Sequence, residues 1–267
     1  MSVVGEAFTD GWVVTKRNLI KIKRIPDLLI FSTIQPIMFV VLFAYVFGGA
    51  IRLQGVNYRE YLMAGIFTQT VAFGSMITAI GLADDLQKGI IDRFRSLPMS
   101  RAAVLIGRTS SDLINNLFVL VIMVACGLLV GWRAHTNPLK VVAGFALLLA
   151  FGYAMSWLAA VIGLSVRSVE VAQSAGFIWL FPVTFLSNAF ISTDTLPKML
   201  RPVADWNPMS SIVLALRDLW GNSALGTGRG SGFPAEHPIL LSVLWIGGLL
   251  VIFVPLAISK YRKATTR

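Results

Sequence analysis

The segment DDLQKGIIDRFRSLPMSRAAVLIGRTSSD, residues 84–112, is a charged interruption between two long apolar stretches of the chain. In its first part, apolar residues recur at steps of four, four and three, which predicts a short helix with one apolar face, formed by Leu86, Ile90, Phe94 and Leu97. Pro98 ends this helix, because proline has no backbone N–H to donate. A helix of this kind between two spans suits recognition by a soluble partner. The alternative is a solvated loop with local helical structure.

Beyond Pro98, polar residues follow at steps of seven, four and three: Arg101, Arg108, Asp112 and Asn115. This spacing predicts a helix with one polar face that leads into the next apolar stretch. Arg108 and Asp112 stand four residues apart and are expected to pair. We favour a structural pair over a proton relay, because these residues lie at the edge of the predicted span and not at its centre.

The composition indicates an integral membrane protein. Of the 267 residues 56% are hydrophobic and 13% charged, and the mean hydropathy is +0.75, which is too apolar for an ordinary soluble domain. A single cysteine, Cys126, excludes a disulfide framework. The two histidines, His135 and His237, are far apart and joined by no cysteine or carboxylate cluster, so no metal site is predicted.

Six apolar segments are long enough to cross a bilayer, which requires about 20 apolar residues. We predict a single all-α membrane domain over residues 1–267, with spans at residues 28–51, 61–83, 113–132, 141–166, 171–191 and 238–259. Residues 1–25, amphipathic and basic toward their end, are expected to form an interfacial helix. In the fourth span, Gly144, Gly152 and Gly163 are predicted points of close helix packing.

Residues 192–237 separate the fifth and sixth predicted spans and contain one short helix. Asn207 and Pro208 are typical of an N-cap and a first turn, and apolar residues then recur at helical spacing up to Gly221. We predict an amphipathic helix in an extracellular segment, either on the outer leaflet or partly re-entrant.

Lysine and arginine are concentrated in the connections on one side of the predicted spans, namely residues 1–25, residues 84–112 and the C-terminal tail. Cytoplasmic loops carry such an excess, so both termini and residues 84–112 are predicted to be cytoplasmic. The same distribution accounts for the net charge of +10 without a nucleic-acid partner.

The sequence contains no G-x-x-x-x-G-K-[ST] string, the loop that cradles ATP phosphates, and no hydrolase motif. The six predicted spans also carry no ionisable residue at mid-membrane, where proton- or sodium-coupled transporters need one. We therefore predict that the chain is not itself an enzyme. If it moves a substrate uphill, the energy comes from another subunit.

The string DLQKGIIDRFRSLPMSRAAVLIGR resembles the region after the second span of type-2 ABC transporter permeases, of the daunorubicin-resistance type of drug and lipid exporters. NPMSSIVLALRDLW, residues 207–220, is similar to a second segment of the same permeases. The resemblance covers essentially the whole chain. It implies a cytoplasmic coupling helix, residues 84–98, that docks on an ATPase subunit through eight residues: Leu86, Gln87, Lys88, Gly89, Ile90, Arg93, Phe94 and Leu97. Many members have a glutamate where this chain has Gln87.

The resemblance further implies a complex of two permease chains, identical or paralogous, and two ATPase chains that hold ATP and Mg, with no cofactor in this chain. If the cavity is lined by the first, second and fifth spans, its candidate residues are Gln69, Phe73, Met76, Phe177, Phe181, Thr184, Phe185 and Asn188. Aromatic and methionine side chains suit an amphipathic or lipid-like substrate. The alternative for each residue is lipid contact or helix packing.

The sequence thus predicts a multi-pass permease of the cell membrane, surrounded by lipid, that exports a hydrophobic or amphipathic drug or lipid by alternating access. A membrane pore or scaffold that works without ATP is the alternative. A membrane enzyme that modifies lipids is a more distant one.

Overall fold

The computed structural model describes residue 15 and residues 26–47, 57–91, 101–190, 192–223, 229–230 and 232–264. The regular elements in these ranges are helices. The predicted interfacial helix, residues 1–25, lies outside the described residues except for Thr15, whose hydroxyl donates to the carbonyl oxygen of Gly107 at 3.1 Å.

The helices follow one another along the chain in this order: α1 (Pro26–Val41, continued by a π-helical segment at Leu42–Phe47), α2 (Tyr58–Gly74), α3 (Met76–Gln87), α4 (Arg101–Val130), α5 (Pro138–Gly163) and α6 (Val169–Phe185). A 3₁₀ turn (Thr193–Thr195) then precedes α7 (Arg201–Asp205), α8 (Pro208–Trp220), α9 (Phe233–Glu236) and α10 (Pro238–Ala264). Within the described chain, four helical stretches are long and apolar enough to cross a membrane: Tyr58–Gln87, Ala103–Val130, Pro138–Gly163 and Pro238–Lys263. Two apolar helices are shorter, Thr33–Val46 and Val169–Phe185.

Helix α5 is the centre of the bundle and packs against α2, α3, α4, α6, α8 and α10. Three glycines allow this close approach. A methyl group at Gly144 would overlap the indole of Trp220, one at Gly152 the side chain of Val71, and one at Gly163 the backbone of Ala79. The predicted close-packing role of these glycines is therefore confirmed.

The bundle has two distinct ends. At the first, called the Gln87 end, a cluster of buried apolar residues joins the ends of α3, α5 and α10 to the start of α4 through Leu82, Leu105, Leu164 and Tyr261. At the second, called the Trp220 end, edge-to-face and tilted aromatic contacts join α2, α4, α5 and α8 through Phe67, Trp132, Phe145 and Trp220. Packing at both ends fixes how α3 and α8 are placed.

The second predicted span, residues 61–83, is longer than expected and consists of two helices. Helices α2 and α3 meet at Ser75, whose hydroxyl donates to the carbonyl oxygen of Ala72 at 2.6 Å. Helix α3 continues to Gln87, so the predicted coupling helix at residues 84–98 begins inside it, which corrects that boundary. The break comes at Lys88 and Gly89, where Gly89 adopts a φ of 62° that favours glycine. Residues 92–98 lie outside the described residues.

The other spans also differ from the predicted bounds. Helix α4 begins at Arg101, which confirms the predicted polar-faced helix that leads into the third span, and it ends at Val130, whereas that span was predicted to reach residue 132. Helix α10 runs to Ala264 instead of residue 259. Helix α5 covers Pro138–Gly163, and its start is set by Asn137, which accepts from the backbone N–H of Lys140 at 2.9 Å. For the first predicted span, residues 48–51 lie outside the described residues.

Two predictions near the Trp220 end need correction. The fifth predicted span, residues 171–191, contains a helix that ends at Phe185, and the chain from residue 186 to 190 is not helical. Of the two predicted placements of α8, the one on the outer leaflet is wrong, because Met209 and every residue up to Arg217 are buried and α8 packs against α2, α5 and α10. The re-entrant placement stays a prediction. The predicted ends of α8 are confirmed, with Asn207 as N-cap and Gly221 in the left-handed conformation as C-cap.

Replacement of Gly163 by alanine is expected to lower the free energy of unfolding by about 1–3 kcal/mol, because the new methyl group would lie 2.9 Å from Cα of Ala79 and force α3 and α5 apart. The matched control is Gly248→Ala in α10, where no atom lies within 4 Å of the added methyl group. There the better helix propensity of alanine favours the fold by up to about 1 kcal/mol. Thermal unfolding in detergent compares the two variants. A Gly163→Ala variant as stable as the unaltered chain would contradict the close packing.

Candidate functional site

A cavity of about 190 Å³ lies within the bundle, between α1, α2, α3, α4 and α6. Its wall combines aromatic and aliphatic side chains with carboxamides and a hydroxyl. The residues that line it are Gln35, Pro36, Phe39, Gln69, Thr70, Phe73, Gly74, Met76, Ile77, Ile80, Asn115, Asn116, Val119 and Phe177.

Four of the predicted cavity residues line this space: Gln69, Phe73, Met76 and Phe177. The Phe73 and Phe177 rings lie 6.1 Å apart, measured between centroids. Met76 packs against the backbone of Gly176, where a side chain would overlap its thioether. Helices α2, α3 and α6 therefore bring these four residues together at one cavity.

The other four predicted residues do not line the cavity. Phe181 and Phe185 lie on the exposed side of α6, 42% and 47% exposed, and their rings stack at 5.9 Å. Thr184 and Asn188 are buried. The prediction placed Asn188 within the fifth span, but the helix there ends before that residue. Because α6 ends at Phe185, the chain turns and carries Asn188 toward α8, where its backbone N–H donates to the hydroxyl of Ser210 at 3.2 Å.

The sequence analysis missed the wall that α4 contributes. Asn115 and Asn116 line the cavity and are 5% and 2% exposed. Asn116 fits between two glycines, since a methyl group at Gly74 or at Gly152 would lie within 4 Å of its carboxamide. The sequence does carry a signal for this wall. Asn115 belongs to the polar row predicted along α4, although the prediction did not assign it to the cavity.

The prediction of an ion pair between Arg108 and Asp112 is wrong. Within the described chain, no oxygen of Asp112 lies within ion-pair distance of Arg108, and the Nη2 of Arg108 donates instead to the carbonyl oxygen of Ile77 at 2.8 Å. Gly81 makes room for this contact, because any side chain there would overlap the guanidinium group. Arg108 thus ties α4 to α3 near Ile77, which lines the cavity.

Five of the eight predicted docking residues are described, and they lie at the Gln87 end. Leu86 is half-buried and packs against the apolar cluster there. Gln87 and Lys88 are exposed; Gln87 donates to the carbonyl oxygen of Arg167 at 3.4 Å. Lys88 pairs with Asp84 at 2.7 Å. Gly89 and Ile90 are partly exposed beyond the break. The remaining three residues, Arg93, Phe94 and Leu97, lie outside the described residues.

An arginine is fully enclosed between α2, α8 and the non-helical residues 186–190. Arg217 is 1% exposed. Its Nε donates to the carbonyl oxygen of Tyr61 at 3.0 Å, and its Nη2 donates to those of Asn188 at 2.9 Å and Ala189 at 3.3 Å. The guanidinium carbon lies 3.3 Å from the centroid of the Tyr61 ring. One side chain therefore pairs the carbonyl groups of Asn188 and Ala189, which lie outside any helix, and ties them to α2 through Tyr61.

Other side chains complete the pairing of this non-helical segment. The Asn207 carboxamide donates to the carbonyl oxygens of Val183 at 2.7 Å and Leu186 at 3.0 Å, which caps the end of α6. The hydroxyl of Tyr58 donates to the carbonyl oxygen of Phe190 at 3.2 Å. The chain can leave the helix inside an apolar bundle because these donors replace the missing backbone partners.

The sequence analysis also missed the role of Arg217, although a signal was present. Arg217 follows Val213 by four residues and precedes Trp220 by three, so it lies on the apolar face of α8. A charged residue on an apolar face indicates burial with specific partners. The identity of the partners is not visible, because they are carbonyl groups far away in the sequence.

The site as a whole joins an internal cavity to one end of the bundle. It combines a cavity, a helix break at Ser75, an interhelical tie at Arg108 and a helix, α3, that runs from the cavity to the Gln87 end.

Comparison with known proteins finds a family match and relatives along the full chain. Residues 9–219 match the family described as ABC-2 type transporter. The chain is 32% identical to the daunorubicin resistance ABC transporter permease protein DrrB1 of Streptomyces coeruleorubidus, over 98% of this chain and 87% of that protein. It is 24% identical to the probable doxorubicin resistance ABC transporter permease protein DrrC of Mycobacterium tuberculosis, over 94% and 88%. It is 23% identical to an O-antigen export system permease protein, RfbA of Klebsiella pneumoniae, over 94% and 92%.

Replacement of Arg217 by methionine is expected to lower the free energy of unfolding by about 3 kcal/mol or more, because it leaves the buried carbonyl oxygens of Asn188 and Ala189 without this donor. Lysine at this position keeps the charge but cannot span Tyr61 and Asn188 with one planar group, so it is expected to restore little. The control is Arg133→Met, since Arg133 is exposed and donates only to nearby carbonyls of its own turn. Thermal unfolding in detergent measures all three, and an Arg217→Met variant no less stable than Arg133→Met would contradict the assignment.

Proposed function

The chain belongs to the ABC-2 type transporter family, and we propose that it is the membrane-spanning permease subunit of an exporter driven by ATP hydrolysis on a separate subunit. The observation that carries this proposal is the similarity over 98% of the chain to a protein named as an ABC transporter permease. The sequence has no phosphate-binding loop, which supports a complex in which the ATPase subunit, and not this chain, binds ATP and Mg.

The ATPase subunit docks at the Gln87 end. The proposed docking segment comprises Gln87, Lys88, Gly89 and Ile90 of the described chain and continues into Arg93, Phe94 and Leu97. Gln87 and Lys88 are exposed, and the left-handed conformation of Gly89 allows the chain to change direction after α3. Leu86 is half-buried and joins this segment to the apolar cluster.

Helix α3 is the mechanical link between docking and the cavity. Met76, Ile77 and Ile80 line the cavity at its beginning, and Gln87 lies at its other end. A push on the docking segment therefore displaces cavity-lining residues directly, and the Arg108 contact to Ile77 carries the displacement to α4. Switching of the cavity between the two sides of the membrane requires that ATP bind one conformation more tightly than the other.

The substrate is a hydrophobic or amphipathic molecule, a drug or a lipid, for which the cavity supplies aromatic and polar surfaces. Relatives named for daunorubicin and doxorubicin resistance and for O-antigen export support both classes. The active assembly contains two permease chains, identical or paralogous, and two ATPase chains. It lies in the cell membrane and has no nucleic-acid partner.

Six spans are proposed from the four long helices and the two shorter apolar ones, Thr33–Val46 and Val169–Phe185. The excess of lysine and arginine assigns the Gln87 end and both termini to the cytoplasm. The Trp220 end then faces outward, and α8 enters the membrane from that side as a re-entrant helix.

Substitution of Ile90 by asparagine is expected to weaken retention of the ATPase subunit by about tenfold or more, because it places an unpaired amide at the centre of an apolar contact. The readout is the amount of ATPase that copurifies with the tagged chain from detergent extracts. The control is Leu200→Asn, an exposed leucine in the outer segment that is 37% exposed. Equal retention by both variants would contradict docking at Ile90. Failure of any ATPase to copurify with the unaltered chain would favour a pore or scaffold that works without ATP.

Membrane orientation is tested by two matched lysine-to-cysteine variants in a Cys126→Ala background, which removes the single native thiol. A membrane-impermeant maleimide added to intact cells is expected to label Lys198→Cys and to leave Lys88→Cys unlabelled until the cells are permeabilised. Both lysines are exposed, so labelling of each cysteine depends on the side of the membrane that it faces. Labelling of Lys88→Cys in intact cells would contradict a cytoplasmic Gln87 end.

A further inference from the structure

Three large apolar side chains in and beside the short helix α7 are uncovered. Met199, Val203 and Trp206 are 89%, 56% and 52% exposed. Their spacing of four and three residues places them on one side of a helical turn, called the α7 face, whereas Ala204 and Asp205 are buried on the opposite side. Exposed apolar side chains of this size that lie together indicate contact with a partner or with lipid.

Hydrogen bonds hold the α7 face in a defined shape. The helical turn begins before α7, because the backbone N–H groups of Leu200 and Arg201 donate to the carbonyl oxygen of Pro197 at 2.9 and 3.3 Å. The Nε of Arg201 donates to the carbonyl oxygen of Leu196 at 2.9 Å. The apolar side chains are therefore presented by an ordered turn and not by a loose loop.

Aromatic contacts join the α7 face to the start of α10. The ring centroids of Trp206 and Phe233 lie 6.3 Å apart, and those of Phe233 and His237 lie 5.1 Å apart. His237 directly precedes Pro238, the first residue of α10. Trp206 therefore lies at the level at which α10 begins.

The exposed side of α10 shows where the hydrocarbon of the membrane begins. Helix α10 is long and apolar enough to cross a bilayer, and Tyr261 near its last turn belongs to the Gln87 end, so α10 starts at the opposite end of the bundle. Its large apolar side chains are exposed from Ile239 and Leu240 onward, as in a helix that faces lipid. Because Phe233 and Trp206 lie just before this point, the α7 face lies at the level of the lipid head groups.

The chemistry of the α7 face matches a membrane–water interface. The indole of Trp206 combines an apolar body with a polar N–H, and tryptophan is enriched at this level of membrane proteins. Lys198 and Glu236, both exposed, carry opposite charges, so a zwitterionic lipid suffices. The α7 face is also continuous with the lipid-facing side of α10, which favours lipid over a second permease chain as its partner.

We propose that the α7 face and Phe233 form an interfacial anchor in the head-group region of the outer leaflet, with Met199, Val203 and Trp206 in contact with the acyl chains. The bilayer thereby holds the residue that precedes Asn207, whose carboxamide caps the end of α6 and whose position starts α8. The assignment to the outer leaflet rests on the orientation under the proposed function, whereas the contact with lipid does not depend on export.

Fluorescence quenching of the full chain in phosphatidylcholine nanodiscs, without nucleotide, tests this anchor. Met199→Cys and Val203→Cys, each in a Cys126→Ala background, are labelled with an environment-sensitive NBD fluorophore. The quenchers are a phospholipid that carries a nitroxide near its head group and iodide in the water. Both labels are expected to lose about half of their emission to the nitroxide lipid and little to iodide, because interfacial helices sink roughly 5–10 Å into the boundary between head groups and acyl chains.

The matched control is Glu236→Cys on α9, an exposed polar position close to Phe233, whose label is expected to be quenched mainly by iodide. Iodide quenching of the two α7 labels as strong as that of the control would place the face in water and overturn the inference. Resistance of these labels to both quenchers would show that protein, such as a second copy of the chain, covers the face, and would overturn it equally. Failure of the unaltered complex to export would contradict the proposed function alone, because quenching is measured without nucleotide.

Discussion

The requirement that buried backbone groups be paired governs the most irregular part of this protein. Residues 186–190 leave the helix within an apolar bundle, where no water is at hand to satisfy their carbonyl groups. Arg217 supplies several donors from one planar group and bridges α2, α8 and this segment. Arg217 acts together with Asn207, which caps the end of α6 through the carbonyls of Val183 and Leu186. The loss of solvation of one charge is offset by three carbonyl contacts and by the face of Tyr61.

Close packing around α5 makes the rest of the architecture possible. Helices in a lipid environment gain little from apolar burial against one another, so contact between backbones is a principal source of stability. Gly144, Gly152 and Gly163 provide that contact along the length of α5. The same small residues leave space where polar side chains can be held, as Gly152 does for Asn116 and Gly81 does for Arg108. Packing and polar function are therefore linked through glycine.

The cavity and the docking segment are connected by covalent structure and not only by proximity. Helix α3 begins among cavity residues after the break at Ser75 and ends beside the break at Gly89. Under the proposed function, this helix would carry a displacement of the docking segment to the residues that line the cavity.

The sequence by itself determined the features that depend on local chemistry. The membrane class follows from composition, the ends of α8 from Asn207 and Gly221, and the tight packing of α5 from its glycines. The candidate cavity residues came from the family resemblance. Only the tertiary structure decided where α6 ends, that α8 is enclosed, that Arg108 binds Ile77 and not Asp112, and that Asn116 completes the cavity wall. These features depend on contacts between groups that are distant in the chain, often with a backbone carbonyl as one partner. Every residue type carries that carbonyl, so no sequence pattern marks which one a buried side chain will reach.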